Sequence, residues 1–187
     1  MRVVIVFAVM IAVCSSAGCT GRSTPLPTPS RTAPASPSPE ALPLDAVNFD
    51  CADPISIVTS LPTPKSSLLE AVGLDTTSTL QAGGRAPTDP HRMRAKTWLY
   101  VHTGRESTLT VPAGWTTAVS IAWGNHAPVW TTSLHIPACP QPTSRPGQWL
   151  AYPGLISLDK AACVPLDISS GGKSITVHVS LGLPCPS

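Results

Sequence analysis

Charge is scarce in this chain: only 12% of its 187 residues are Asp, Glu, Lys or Arg, and the formal net charge is +2. That balance offers no long-range attraction to nucleic acid or to an anionic membrane surface, so no nucleic-acid partner is expected. Aromatic rings are also few, with two Phe and two Tyr beside five Trp, while prolines number 22. Such a composition disfavours a helix-rich enzyme and suits a loop-rich β domain. No CxxC, HxH or HExxH string occurs and no histidine closely follows a cysteine, so neither a metal site nor a cofactor is expected. GxSxG is missing too, which leaves a nucleophile elbow without support. The longest apolar run, Val3 to Val13, falls short of the roughly 20 residues that a spanning helix requires.

That run is nevertheless informative. Arg2 precedes it and the small residues Ser15 to Gly18 follow it, which is the layout of a signal peptide. Cleavage near Ala17 would release a soluble protein, and an uncharged run from Val3 to Gly21 kept in place would act as a weak anchor. Ser16-Ala17-Gly18-Cys19, closing the run, resembles the lipobox of bacterial lipoproteins, with Ser16 where that family usually carries Leu. The resemblance covers about the first nineteen residues. It implies removal of residues 1–18, a lipidated Cys19 as first residue, and attachment to the extracytoplasmic face of the cell membrane through the lipid.

Residues 20–43 hold seven prolines among Ser, Thr and Ala, and little that could fill a core. Proline fixes φ and removes a donor, so residues 19–43 are expected to be an extended, disordered tether of polyproline II character. From Leu44 to Ser187 there are 144 residues, enough for one domain with its own core.

Within that domain the pattern is of period two. Pro54 to Leu61 reads as a strand, Ser66 to Val72 as a strand or a helical turn, and Asp75 to Pro90 as a long loop or irregular edge. Lys96 to Thr103 places Leu99 and Val101 on one face and Trp98, Tyr100 and His102 on the other. Leu109 and Val111 continue the pattern before a turn at Pro112 to Gly114, and Thr117, Val119, Ile121 and Trp123 form an apolar face that ends at Gly124. Trp130, Thr132, Leu134 and Ile136 follow. Trp149 to Leu158 reads as two strands or one bent around Pro153-Gly154. Val164, Leu166 and Ile168 lead through Ser169 to Gly172 into Ile175, Val177, Val179 and Leu181, a hairpin. About seven short strands divided by Gly and Pro turns predict a mainly β fold, an antiparallel β-sandwich of immunoglobulin-like type, with barrels as the alternative.

Four cysteines follow Cys19, and an even number outside the cytosol predicts two disulfides among Cys51, Cys139, Cys163 and Cys185. Of the three pairings, Cys139 with Cys163 and Cys51 with Cys185 is the one expected, the first stapling a loop and the second joining the ends of the domain.

Two groups are candidates for binding. Arg92 and Arg94, with Arg85, His91 and Lys96, gather positive charge that suits a phosphate or carboxylate polymer of the cell wall; the plainer reading is a solvated loop entering an edge strand guarded by lysine. Trp115 and Trp130, with Asn125 and His126, border two turns and suit sugar stacking, or else fill the core. His135 and His178 fall on polar strand faces, where solvent exposure is expected. Ser157-Leu158-Asp159-Lys160 resembles the SxxK string of penicillin-binding proteins and β-lactamases. That string needs a helix start, and this stretch reads as strand and turn, so no catalytic residue is assigned. The expectation is a membrane-anchored extracytoplasmic lipoprotein presenting a binding or accessory module, whose candidate partners are a cell-wall glycan or an envelope protein. A cell-wall-active enzyme and a structural subunit of an envelope complex are the alternatives.

Overall fold

The computed structural model describes residues 46–125, 129–143 and 148–186; the Ser16–Cys19 motif, the Pro-rich segment and His126 lie outside them. The described residues form thirteen strands and one 3-10 turn, Ala113–Trp115. In chain order the strands are β1 (Val47–Asn48), β2 (Ser56–Val58), β3 (Ser66–Leu68), β4 (Val72–Leu74), β5 (Thr79–Leu80), β6 (Ala82–Gly84), β7 (Met93–His102), β8 (Ser107–Thr110), β9 (Val119–Trp123), β10 (Ser133–Ile136), β11 (Trp149–Leu158), β12 (Ala162–Ser170) and β13 (Lys173–Leu181). The fold is a β-sandwich, as the alternation predicts. One sheet runs β1-β10-β8-β12-β13-β5 and the other β2-β11-β7-β4-β3, with β6 also on β7 and β9 also on β11.

Strands that the pattern predicts from residue 93 onward are present, and β11 is one strand of 10 residues rather than two. Its Pro153-Gly154 step falls where the flanking partner changes. β2 pairs residues 149–151 and β9 pairs residues 154–158, so on that flank proline sits between two ladders, while on the other it stands opposite Trp98 within the β7 ladder. The β12–β13 hairpin closes Ser170 against Lys173 through Gly171 and Gly172, at φ 57° and 74°, as a two-residue loop with both centres left-handed requires. Ahead of β7 the sequence is less transparent. Residues 66–74 form the hairpin β3–β4, and the stretch from Asp75 to Pro90 contains β5 and β6. Asp75 organises this stretch. Burial pushes its carboxyl up, but hydrogen bonds from Ser78 and Thr77 and the Lys65 ammonium 3.6 Å away outweigh burial and hold it below its usual value.

The core lies between the sheets. Leu109, Leu134, Ile136, Leu166 and Ile168 of one sheet meet Leu99, Val101, Ile121, Leu150, Tyr152 and Ile156 of the other, all at most 2% exposed. Burying each such side chain contributes about 1.5–3 kcal/mol. Tyr152 crosses the interface: its ring packs edge-on against Phe49 at 4.7 Å, and its hydroxyl donates to the Cys51 carbonyl at 2.7 Å. Burial, with Asp50 and Asp53 nearby, raises the Tyr152 pKa, so the phenol stays protonated and remains a donor.

Both disulfides are present, but the pairing differs from the expected one. Cys51 bonds Cys139 and Cys163 bonds Cys185. The reason is a parallel pair that side-chain alternation does not reveal. β1 runs alongside β10, with Val47 opposite Leu134 and Asn48 opposite His135, which carries Cys51 to Cys139 just beyond. Cys163 faces Ser180 in the β12–β13 ladder, and the chain doubles back after Leu181, where the Cys185 N–H donates to Ser180 Oγ.

Candidate functional site

The outer face of the second sheet carries the side chains that the core does not use. Along β7 these are Arg94, Lys96, Trp98, Tyr100 and His102, opposite Ser157, Leu155, Pro153, Ala151 and Trp149 of β11. β7 is therefore an interior strand, flanked by β11 on one side and by β4 and β6 on the other, and the edge-strand reading of the basic cluster does not hold.

Both ends of this face are covered. At one end Tyr100, Trp149 and Ala151 form a small second cluster under Val58 and Leu61. Leu61 occupies the space that a Cβ on Gly73 would need, 2.6 Å from its Cδ2, so glycine admits this cover. The His102 ring packs edge-on to Trp149 at 4.9 Å, and its Nδ1 bonds the Thr103 carbonyl, so His102 belongs to the packing. Burial likewise raises the Tyr100 pKa. At the other end the segment before β7 folds across the face. The His91 N–H donates to Ser157 Oγ at 3.2 Å, and its ring touches Ser120 and Asp159. Asp89, buried, accepts from the Ala86 N–H and lies 3.6 Å from the Arg94 guanidinium.

Between the covers lies a cleft of about 360 Å³ lined by Lys96, Thr97, Trp98, Gly124, Pro153, Gly154 and Leu155. Trp98 stands in it 39% exposed, in contrast to the covered Tyr100 two residues on. The floor is tight. A Cβ on Gly154 would lie 1.9 Å from Trp123 Cδ1, so the Trp123 ring packs directly against the Gly154 backbone. Trp123 Nε1 is buried and finds no acceptor among the described residues. The same Trp123-Gly124 step lines a smaller cleft of about 170 Å³ with Asn48, Asp50, Asn125 and Val129. A flat, part-exposed indole beside an aliphatic wall and the exposed Lys96 can stack the apolar face of a ring and meet an acidic group.

The residues expected to bind are distributed differently. Trp115 lies in the 3-10 turn, half-buried against the core. Trp130 is half-buried just before Thr131, which pairs with Ile121. Neither lines the clefts described above. Asn125 is exposed, with its amide donated to the Asp53 carbonyl at 3.1 Å. Arg92 is exposed and Arg94 is turned toward Asp89. His178 is exposed as expected, whereas His135 is half-buried, its Nε2 3.7 Å from Glu106. Ser157 is fully buried in β11 and its hydroxyl donates to the Met93 carbonyl, so the SxxK string places no accessible nucleophile there. Trp98, the residue at the centre of the cleft, is visible in sequence only as one member of an aromatic face shared with Tyr100 and His102.

No protein-family model matches the chain, and no curated protein matches it. Among solved structures the chain is similar to domains 4 and 5 of the S-layer protein SbsC, at 13% identity and a TM-score of 0.32. That match covers 61% of this chain and 52% of the other, so this chain spans about half the length of the structure it matches.

Proposed function

We propose that the protein is a lipid-anchored extracytoplasmic binding module: Cys19 carries the lipid, residues 20–43 span outward, and the sandwich offers its second sheet to a cell-wall glycan. The observation that carries the reading is Trp98, 39% exposed between two covered ends of one sheet face, with Lys96 and Leu155 beside it. An indole in this setting stacks a sugar ring, and the ammonium suits carboxylates on the glycan or its peptide stems. The seven prolines of residues 20–43 support the same reading: extended at about 3 Å per residue, that segment would reach several tens of ångströms from a membrane into a wall.

The test is co-sedimentation of the full-length protein, in detergent, with purified wall sacculi. Wild-type protein is expected to pellet with the sacculi, and Trp98→Ala to lose at least tenfold in affinity, the scale of a central aromatic anchor. Thermal unfolding of the variant checks that it is folded before its binding is compared. Wild-type protein that stays in the supernatant, or a Trp98→Ala protein that pellets equally, defeats the reading.

A further inference from the structure

We propose that Ser120 is a nucleophilic serine, activated by His91 and Asp159, that accepts an acyl group from carboxylic esters held on the outer face of the second sheet. Ser120 lies in β9 between the core residues Val119 and Ile121, so its half-buried hydroxyl projects from that face. His91 Nε2 is 3.1 Å from Ser120 Oγ, and His91 Nδ1 is 3.2 Å from Asp159 Oδ1. A carboxylate can only accept, so Nδ1 carries the imidazole proton and Nε2 presents its lone pair to the Ser120 O–H. Nucleophile, base and orienting carboxylate thus stand within hydrogen-bond reach in the sense that general-base activation requires.

The three groups come from separate parts of the chain: His91 from the segment ahead of β7, Ser120 from β9 and Asp159 from the turn after β11. The His91 side chain is only 10% exposed, and its backbone N–H is tied to Ser157 Oγ, which holds the ring in place. Ser157, opposite Ser120 in the β9–β11 ladder, is thereby a positioning residue. Asp159 is 51% exposed, a weaker orienting group than a buried carboxylate, so the expected turnover is slow. The ester's non-reacting part has a place to sit. Ser157 is two residues from Leu155 of the cleft wall, and two strand residues span about 7 Å.

In the step proposed, Ser120 Oγ bonds to the ester carbonyl carbon as its proton passes to His91 Nε2. The C–O bond to the leaving alcohol then breaks, and the alcohol takes that proton. Water, deprotonated by the same imidazole, releases the acid and restores Ser120. The choice of substrate rests on the proposed binding face; the reactivity of Ser120 does not.

The test is labelling of the full-length protein with a fluorophosphonate, located by peptide mass spectrometry, together with hydrolysis of p-nitrophenyl butyrate. A covalent adduct on Ser120 is expected. Labelling should slow at least tenfold in His91→Gln, ester turnover should be lost in Ser120→Ala, and the exposed His178→Gln should behave as wild type. Should His91→Gln misfold, Asp159→Asn at an exposed position reads the same relay and is expected to slow labelling. An unlabelled Ser120 in protein with both disulfides intact, or equal labelling in folded His91→Gln or Asp159→Asn, overturns the inference. Labelling of Ser120 without sacculus binding would defeat the glycan reading alone, and the reverse would defeat this one alone.

Discussion

Gly154 shows how one missing side chain shapes the candidate site. It faces the core, and the Trp123 ring rests where its Cβ would be, 1.9 Å from Cδ1. Gly154→Ala must displace either the ring or β11, and overpacking of this kind costs about 1–3 kcal/mol. A drop of that size in urea-unfolding free energy is expected, with a change in Trp fluorescence because the cleft floor moves. An unchanged protein would mean that the ring is not seated there. None of this is legible in sequence, where Pro153-Gly154 reads as a break between two strands or a bend in one. Trp98 is half legible: alternation puts it on the face opposite Leu99, but only the folded sheet shows that Tyr100 is covered by Leu61 and Trp98 is not.

At the level of elements, alternation succeeds where strands have one apolar face and fails where pairing is set by backbone alone. β9 and the β12–β13 hairpin announce themselves through Val119, Ile121 and Trp123 and through Gly171-Gly172. β1 has two residues and β5 has two, too short to show a period, yet both make parallel pairs, with β10 and β13. Missing β1 is what misdirects the cysteine pairing. The observed bridges have unequal reach, with sequence separations of 88 for Cys51–Cys139 and 22 for Cys163–Cys185. Loop-closure entropy assigns about 4.6 kcal/mol to the longer and about 3.4 kcal/mol to the shorter. Replacing Cys51 and Cys139 together by Ala should therefore lower unfolding free energy by about 1 kcal/mol more than replacing Cys163 and Cys185. The reverse order, measured by urea titration of the two proteins, would contradict that account.

Across the whole molecule, the two-layer architecture was legible because a sandwich needs only alternating faces and turns, whereas the location of a site depends on what covers each outer face. The segment with Leu61 closes one end of the second sheet and the segment with His91 closes the other, and neither carries a motif. They leave the Trp98 cleft open between them, and Ser120, half-buried under the His91 ring, lies on the same face, on strands that meet the core with their opposite sides. Hydroxyl-radical footprinting of the full-length protein, free and bound to wall sacculi, tests this most directly, because it reads side chains rather than backbone. The account predicts that Trp98, Pro153 and Leu155 become protected while Ile55 and Leu183, exposed by 54% and 38%, oxidise as before. Protection of Ile55 or Leu183 with Trp98 unchanged would place the working surface elsewhere and contradict it.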